Sequence, residues 1–264
     1  MKKIKKIVIA LLVMMLAIPT ISNSTNSSAK EYTVTQEMSE WNIYLYEHQD
    51  LINVYNELFD ARDEEGNRLY SDEFLIGMIA NVEHEGAPGI VEYYFSSLHY
   101  YDFYLPSGGV KIKTVDDIYY LMNWTTTNEE STPGSIFKGS CGVSSVQWSY
   151  TRRIKWLNKL LASLNGRTVV TQYDLTYADV TMMLEELDVN GIYYRKVMSA
   201  VGDNGTAMDY AEALCDYYFI PANADLCFSN TGTQCQSRRA TASELWDKYN
   251  SDEERMYTFK IIDY

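Results

Sequence analysis

The chain has 264 residues, 46% hydrophobic and 22% charged, with 22 Lys+Arg against 36 Asp+Glu and a formal net charge of −14. That length accommodates one sizeable core or two small ones. The acidic balance argues against nucleic acid and anionic membrane as partners, since both demand basic patches, while a neutral polymer such as a glycan remains compatible.

The chain opens with Lys2, Lys3, Lys5 and Lys6, then an apolar run from Ile7 to Ile18 and a polar stretch ending Ser27-Ser28-Ala29. A basic start, a short apolar core and small residues at the end make a secretory signal, expected to be cut after Ala29. The run is too short for a comfortable transmembrane helix, so no stable span is expected after cleavage, although an uncleaved anchor is the alternative. Without residues 1–29 the chain keeps 18 Lys+Arg against 36 Asp+Glu, a net of −18.

From Lys30 to Tyr70, Trp41, Ile43, Tyr44, Leu51, Ile52, Tyr55 and Leu58 give an imperfect helical pattern, read as a helical lead-in belonging to the catalytic domain. Ala61 to Asn67 reads as a charged loop. The central element is Ser71 to Gly86. Phe74, Leu75, Met78, Ile79 and Val82 recur on one helix face; Ser71 is the candidate N-cap, Asp72 and Glu73 suit the positive end of the dipole, and Gly86 and Pro88 supply the stop. Glu85 follows Val82 by three and Met78 by seven, so it belongs to the buried face, whereas Glu83 points away. A carboxylate ending an apolar stripe is costly unless it has a chemical task, so Glu85 is the leading catalytic candidate.

A tyrosine-dense stretch follows, with Tyr93, Tyr94, Tyr100, Tyr101, Tyr104, Tyr119 and Tyr120. Most of these are read as half-buried core, although tyrosine also suits sugar recognition. Pro106 to Gly109 makes a turn, Val110 to Val115 alternates as a short strand, and Thr125 to Gly139 reads as a loop. Gly142 to Arg153 runs into a helix carried by Ile154, Leu157, Leu160, Leu161 and Leu164 and ended by Asn165-Gly166. Further helices are expected over Tyr177 to Leu187, Gly191 to Ala200, Ala207 to Tyr218 and Ser237 to Tyr249, with Thr206 an N-cap and Pro221 a stop. No internal repeat and no low-complexity linker follows residue 30, so one mostly helical domain is expected over residues 71–264, joined by the lead-in at 30–70.

Four cysteines in an exported chain allow two disulfides. Cys227 and Cys235 flank a turn-forming stretch and make a plausible local bridge, leaving Cys141 and Cys215 as a long-range pair; four buried thiols are the alternative. No cysteine pair has zinc-ligand spacing, and His48, His84 and His99 all precede Cys141, so neither metal nor cofactor is expected. That order is also opposite to the common Cys-then-His arrangement of wall peptidases.

Two stretches carry a resemblance. Gly77-Met-Ile-Ala-Asn81-Val-Glu-His-Glu85-Gly86 is similar to the helix Ala-Gly-Ile-Leu-Gly-Asn-Ile-x-x-Glu-Ser of the phage tail lysozyme family, whose glutamate is catalytic. Gly142 through Gln147-Trp148 and Arg152-Arg153 resembles the family's Gly-Ile-Gly-Leu-x-Gln-Trp-Thr signature and the Arg-Arg that follows it. A weaker echo runs from Ala211 through Pro221 to Arg238-Arg239 and Tyr249. The chain departs from the pattern at Ala80 for glycine, Gly86 for serine, Ser144-Ser145 for Gly-Leu, and Phe219-Ile220 for Glu-Arg. The resemblance covers roughly residues 40 to 250 and implies a mainly α, lysozyme-like fold with a small β-hairpin or loop region beside the active-site cleft.

The resemblance further implies a muramidase, a secreted or wall-located and monomeric enzyme cutting the β-1,4 MurNAc–GlcNAc bond of peptidoglycan. Glu85 is then the general acid, its pKa raised by burial, with Gln147 and Trp148 as substrate-binding candidates. For Trp148 a place in the core competes with a sugar contact. No second carboxylate is identified among Glu92, Asp102, Asp116, Asp117, Glu129 and Glu130. A lytic transglycosylase, which forms an anhydro-sugar, and an inactive glycan-binding module are the competing readings.

Overall fold

A computed structural model describes residues 40–91, 105–123, 142–220 and 233–251. The fold is mainly α. In chain order the helices are α1 (Glu40–Glu47), α2 (Gln49–Phe59), α3 (Asp72–Glu85), α4 (Val115–Met122), α5 (Tyr150–Ser163), α6 (Gln172–Glu186), α7 (Ile192–Val201) and α8 (Ala207–Leu214). A π-helical turn, Cys215–Phe219, continues α8, and α9 (Thr233–Asn250) follows.

Helix α3 lies at the centre, packed against α8, α9 and α2. Ser71 caps it as the sequence predicts, its side chain accepting the Phe74 N–H at 3.2 Å. The burial is wider than a single stripe, since every residue from Phe74 to Val82 is buried. A helix that is apolar all round is one enclosed by neighbours, and each large side chain so covered is worth about 1.5–3 kcal/mol. The closest approach is at Gly77, where a Cβ would sit 2.7 Å from the Ala211 backbone nitrogen. Asn81, fully buried, ties the two helices by donating through Nδ2 to the Ala211 carbonyl at 2.8 Å and to the Gly77 carbonyl at 2.9 Å.

The lead-in helices share this core. Trp41 is buried, with its ring 5.5 Å from Tyr249 of α9 and 5.3 Å from Tyr55 of α2. Helix α4 is an element that the sequence reading passes over inside the tyrosine-rich stretch. Thr114 and Asp117 form a reciprocal capping box at its start. Among the described residues β-structure is confined to isolated bridges, including Ile90–Lys111, Val91–Val143, Val143–Trp148 and Thr114–Val169. The strand expected over Val110 to Val115 is therefore reduced to bridges at Lys111 and Thr114, because Thr114 begins the α4 cap instead. Helices α6 and α9 start earlier than expected, at Gln172 and Thr233, and α8 passes into the π turn after Leu214. No helix among the described residues is long and apolar enough to cross a membrane.

Candidate active site

Glu85 is the last residue of α3, and its side chain retains 13% exposure. Gly86 ends the helix with φ 146° and ψ −167°, a combination open to glycine and closed to other residues. The Glu85 carboxylate meets Arg238 of α9, whose Nη2 donates to Oε1. Arg238 is itself 2% exposed and is anchored from behind, with Nη1 donating to Gln234 Oε1 at 2.7 Å and to the Gln234 carbonyl at 3.2 Å. Burial raises the Glu85 pKa, and the guanidinium pulls it back without cancelling the rise. The neighbouring His84 is held below its usual value by burial and by the same arginine, and its Nε2 pairs with Thr241 Oγ1 at 2.9 Å. Glu83 faces outward as expected, yet it accepts a hydrogen bond from Tyr44 Oη at 2.8 Å.

Beside Gly86 lies a tight hairpin closed by Val143 and Trp148, which exchange backbone hydrogen bonds of 3.1 and 3.0 Å. Ser144 and Gln147 within it take positive φ, 65° and 54°. Gln147 Nε2 donates to the Ser144 carbonyl at 3.0 Å, and a Cβ added to Gly86 would lie only 2.9 Å from that nitrogen. On the other side a Cβ at Gly142 would fall 2.5 Å from Gln147 Oε1. Two glycines thus make room for the Gln147 amide next to the Glu85 end of α3.

The hairpin is held from below by Asp179 of α6, which is fully buried. Its carboxylate accepts from Ser144 Oγ at 2.5 Å, from Ser145 Oγ, and from Trp156 Nε1 at 2.7 Å. Ser144 Oγ in turn accepts the Gly89 N–H at 2.8 Å, tying the hairpin to the segment that leaves α3. Burial pushes the Asp179 carboxyl up to about 6 against the pull of these donors.

This arrangement can be set beside known proteins. A family model described as phage tail lysozyme matches residues 62–249. The chain belongs to the phage tail lysozyme family. It is thereby a lysozyme-like peptidoglycan hydrolase, of the glycosidase class. No curated protein and no solved structure matches it.

Within this lysozyme fold two of the departures from the family pattern have local reasons. Gly86, in place of serine, lies against Gln147, and Ser144-Ser145, in place of Gly-Leu, supply the hydroxyls that bind Asp179. Nothing in the structure explains Ala80. Of the two expected substrate-binding residues, Gln147 stands next to the Glu85 end of α3, whereas Trp148 is enclosed. Its indole is 0% exposed, donates from Nε1 to Glu186 Oε2 at 3.0 Å and stacks 6.1 Å from Trp156, so it is a core residue. Arg152 closes the same buried cluster, donating from Nε and Nη2 to Glu186 at 2.9 and 2.7 Å.

Cys215 is buried, and that burial pushes its pKa up to about 12. Cys235 is disulfide-bonded and packs against Cys215. Cys141 and Cys227 lie outside the described residues, as do residues 1–29, Pro221, Glu92, Asp102, Glu129 and Glu130. Asp117 is a capping carboxylate; burial works against its ionisation, but the N–H groups of Lys113, Ser107 and Thr114 hold it below its usual value. Asp116 is exposed on the first turn of α4. Among the described residues no group of three or more His, Cys, Asp or Glu side chains could hold a metal ion. Arg238 and Asp179 are the residues of this arrangement that the sequence reading passed over; the Arg238-Arg239 pair was visible, but nothing in the chain linked it to Glu85.

Proposed function

We propose that the protein is an N-acetylmuramidase that cleaves the β-1,4 bond between MurNAc and GlcNAc in peptidoglycan, with Glu85 as general acid. The observation that carries this reading is the carboxyl of Glu85, mostly buried at the end of α3, with its pKa raised by that burial. A general acid must hold its proton at working pH, and burial favours the protonated form. Glu85 gives its proton to the glycosidic oxygen, the bond electrons go to that oxygen, and positive charge grows on the MurNAc anomeric carbon. Water adds to that carbon, loses a proton, and leaves a reducing MurNAc end.

Gln147 contributes an amide beside Glu85 that suits an N-acetyl or hydroxyl group of the sugar. The Trp148 indole supports this hairpin from the core rather than touching the glycan. The enzyme is read as exported, cut after Ala29, and working as a monomer on the wall; no cofactor is assigned. Mass spectrometry of digested peptidoglycan tests the bond and the outcome together. Fragments ending in reducing MurNAc support the reading. Fragments lighter by one water, with a 1,6-anhydro-MurNAc end, identify a transglycosylase, and reducing GlcNAc ends a glucosaminidase. Wall binding without soluble fragments identifies an inactive glycan-binding module.

A further inference from the structure

Among the described residues Arg238 is the one charge set directly against the Glu85 carboxylate, and it comes from a helix far along the chain. The other titratable groups near this end of α3 are Cys215 and Asp216 of the π turn, Glu212 of α8, and Glu83 and His84 of α3 itself, with Tyr44 and His48 reaching Glu83. Of these, Arg238 alone acts appreciably on Glu85. Its guanidinium is nearly inaccessible, so it is poorly placed to bind the glycan. It is held in one orientation by Gln234, one turn earlier on α9, through both the side-chain and main-chain oxygens. Cys235, between them, is disulfide-bonded, which gives the first turn of α9 a covalent tie.

We propose that Arg238 is the positioning residue of the general acid: it occupies Oε1 of Glu85, so that the proton to be donated sits on Oε2 in a fixed direction. This deepens the muramidase reading and rests on Glu85 being the acid. A carboxyl free to rotate about its last bond presents its proton in many directions, whereas one whose second oxygen is tied to a rigid donor presents it in one. The same contact favours the carboxylate left after proton transfer, because a charged donor bonds an anion more strongly than a neutral acid. It also lowers the pH at which the resting acid loses its proton. Arg238 therefore promotes the transfer step and narrows the pH range in which that step is available.

The test compares wild type, Arg238→Gln, Arg238→Lys and Glu85→Gln, each as the full exported chain matched by circular dichroism. kcat and KM on soluble peptidoglycan fragments are measured across pH. Arg238→Gln is expected to lower kcat about 10²-fold, the size of loss typical of a misplaced catalytic group, with little change in KM. Its alkaline limb in kcat/KM should move up by about one pH unit, because Glu85 loses its cationic partner. Arg238→Lys keeps the charge but not the planar fork, so it should hold the wild-type limb and recover part of kcat.

An alkaline limb unmoved in Arg238→Gln overturns the proposal, whether activity is kept or lost, since a purely structural arginine would change stability and rate without moving that limb. If Arg238→Gln does not fold, wild-type kcat in a folded Arg238→Lys overturns it, and a reduced kcat at unchanged KM supports it. The parallel Glu85→Gln protein separates the two readings. Inactive Glu85→Gln with an unmoved Arg238→Gln limb removes only the role of Arg238, whereas active Glu85→Gln removes the acid and its positioning residue together.

Discussion

Asp179 shows how much of the site depends on a residue that never meets substrate. It is fully buried, yet it gathers Ser144, Ser145 and Trp156 and so fixes the hairpin that carries Gln147. Burial places its folded-state pKa at about 6, above the ordinary value of 3.8. For a carboxyl raised on folding, the unfolded state loses its proton first as pH rises, and the folded state is disfavoured progressively until its own group ionises. Wild type should therefore lose stability relative to Asp179→Asn as pH rises from about 4 to about 6, and the difference should be flat above that window. Urea unfolding of both proteins at half-unit pH steps checks the sign; a difference that grows in the opposite direction contradicts it. Glu83→Gln is expected to cost less than about 1 kcal/mol, because the site is exposed and glutamine still accepts from Tyr44. A larger loss in thermal unfolding would mean that the Tyr44–Glu83 bond carries more than its exposure implies.

The helix starts are where sequence and structure agree best, because a cap is local chemistry. Ser71 and Thr206 were legible as N-caps, and both side chains accept the expected N–H; Thr206 pairs with Asp209 as a full capping box. Removing that box by Thr206→Ala should lower stability by about 1 kcal/mol while leaving activity unchanged. Helix α4 was hidden for a related reason, since its Thr114–Asp117 box lies at the end of an alternating Val110 to Val115 run that reads as strand. The 143–148 hairpin was equally opaque, as neither Ser144 nor Gln147 advertises a positive φ. Gly86 joins the two elements of the site. Gly86→Ala has to adopt a backbone conformation that costs about 1–3 kcal/mol and must also displace the Gln147 amide. Activity should consequently fall by more than in Thr206→Ala at a temperature where both variants are fully folded. Equal activities in that comparison would show that the placement of Gln147 is immaterial.

At the scale of the whole molecule, the mainly α fold and the position of Glu85 at the end of its central helix were legible from motif and periodicity. The chemistry surrounding Glu85 was not. Arg238 and Asp179 reach the site from α9 and α6, and such long-range contacts leave no periodic trace in either segment. Trp148 sits beside Gln147 in the motif, where a core place and a sugar contact both fit it, yet within the hairpin the two side chains differ in burial and partners. In the proposed reaction one carboxyl, Glu85, supplies the proton that breaks the glycan. The most direct test of that role is solubilisation of purified peptidoglycan by wild type and Glu85→Gln, at equal concentration and with matched circular dichroism. Glutamine fills the same volume and still accepts from Arg238, but it has no proton of suitable acidity to give. The rate is expected to fall about 10²–10⁴-fold with folding retained; a Glu85→Gln protein that solubilises wall at near the wild-type rate contradicts the assignment.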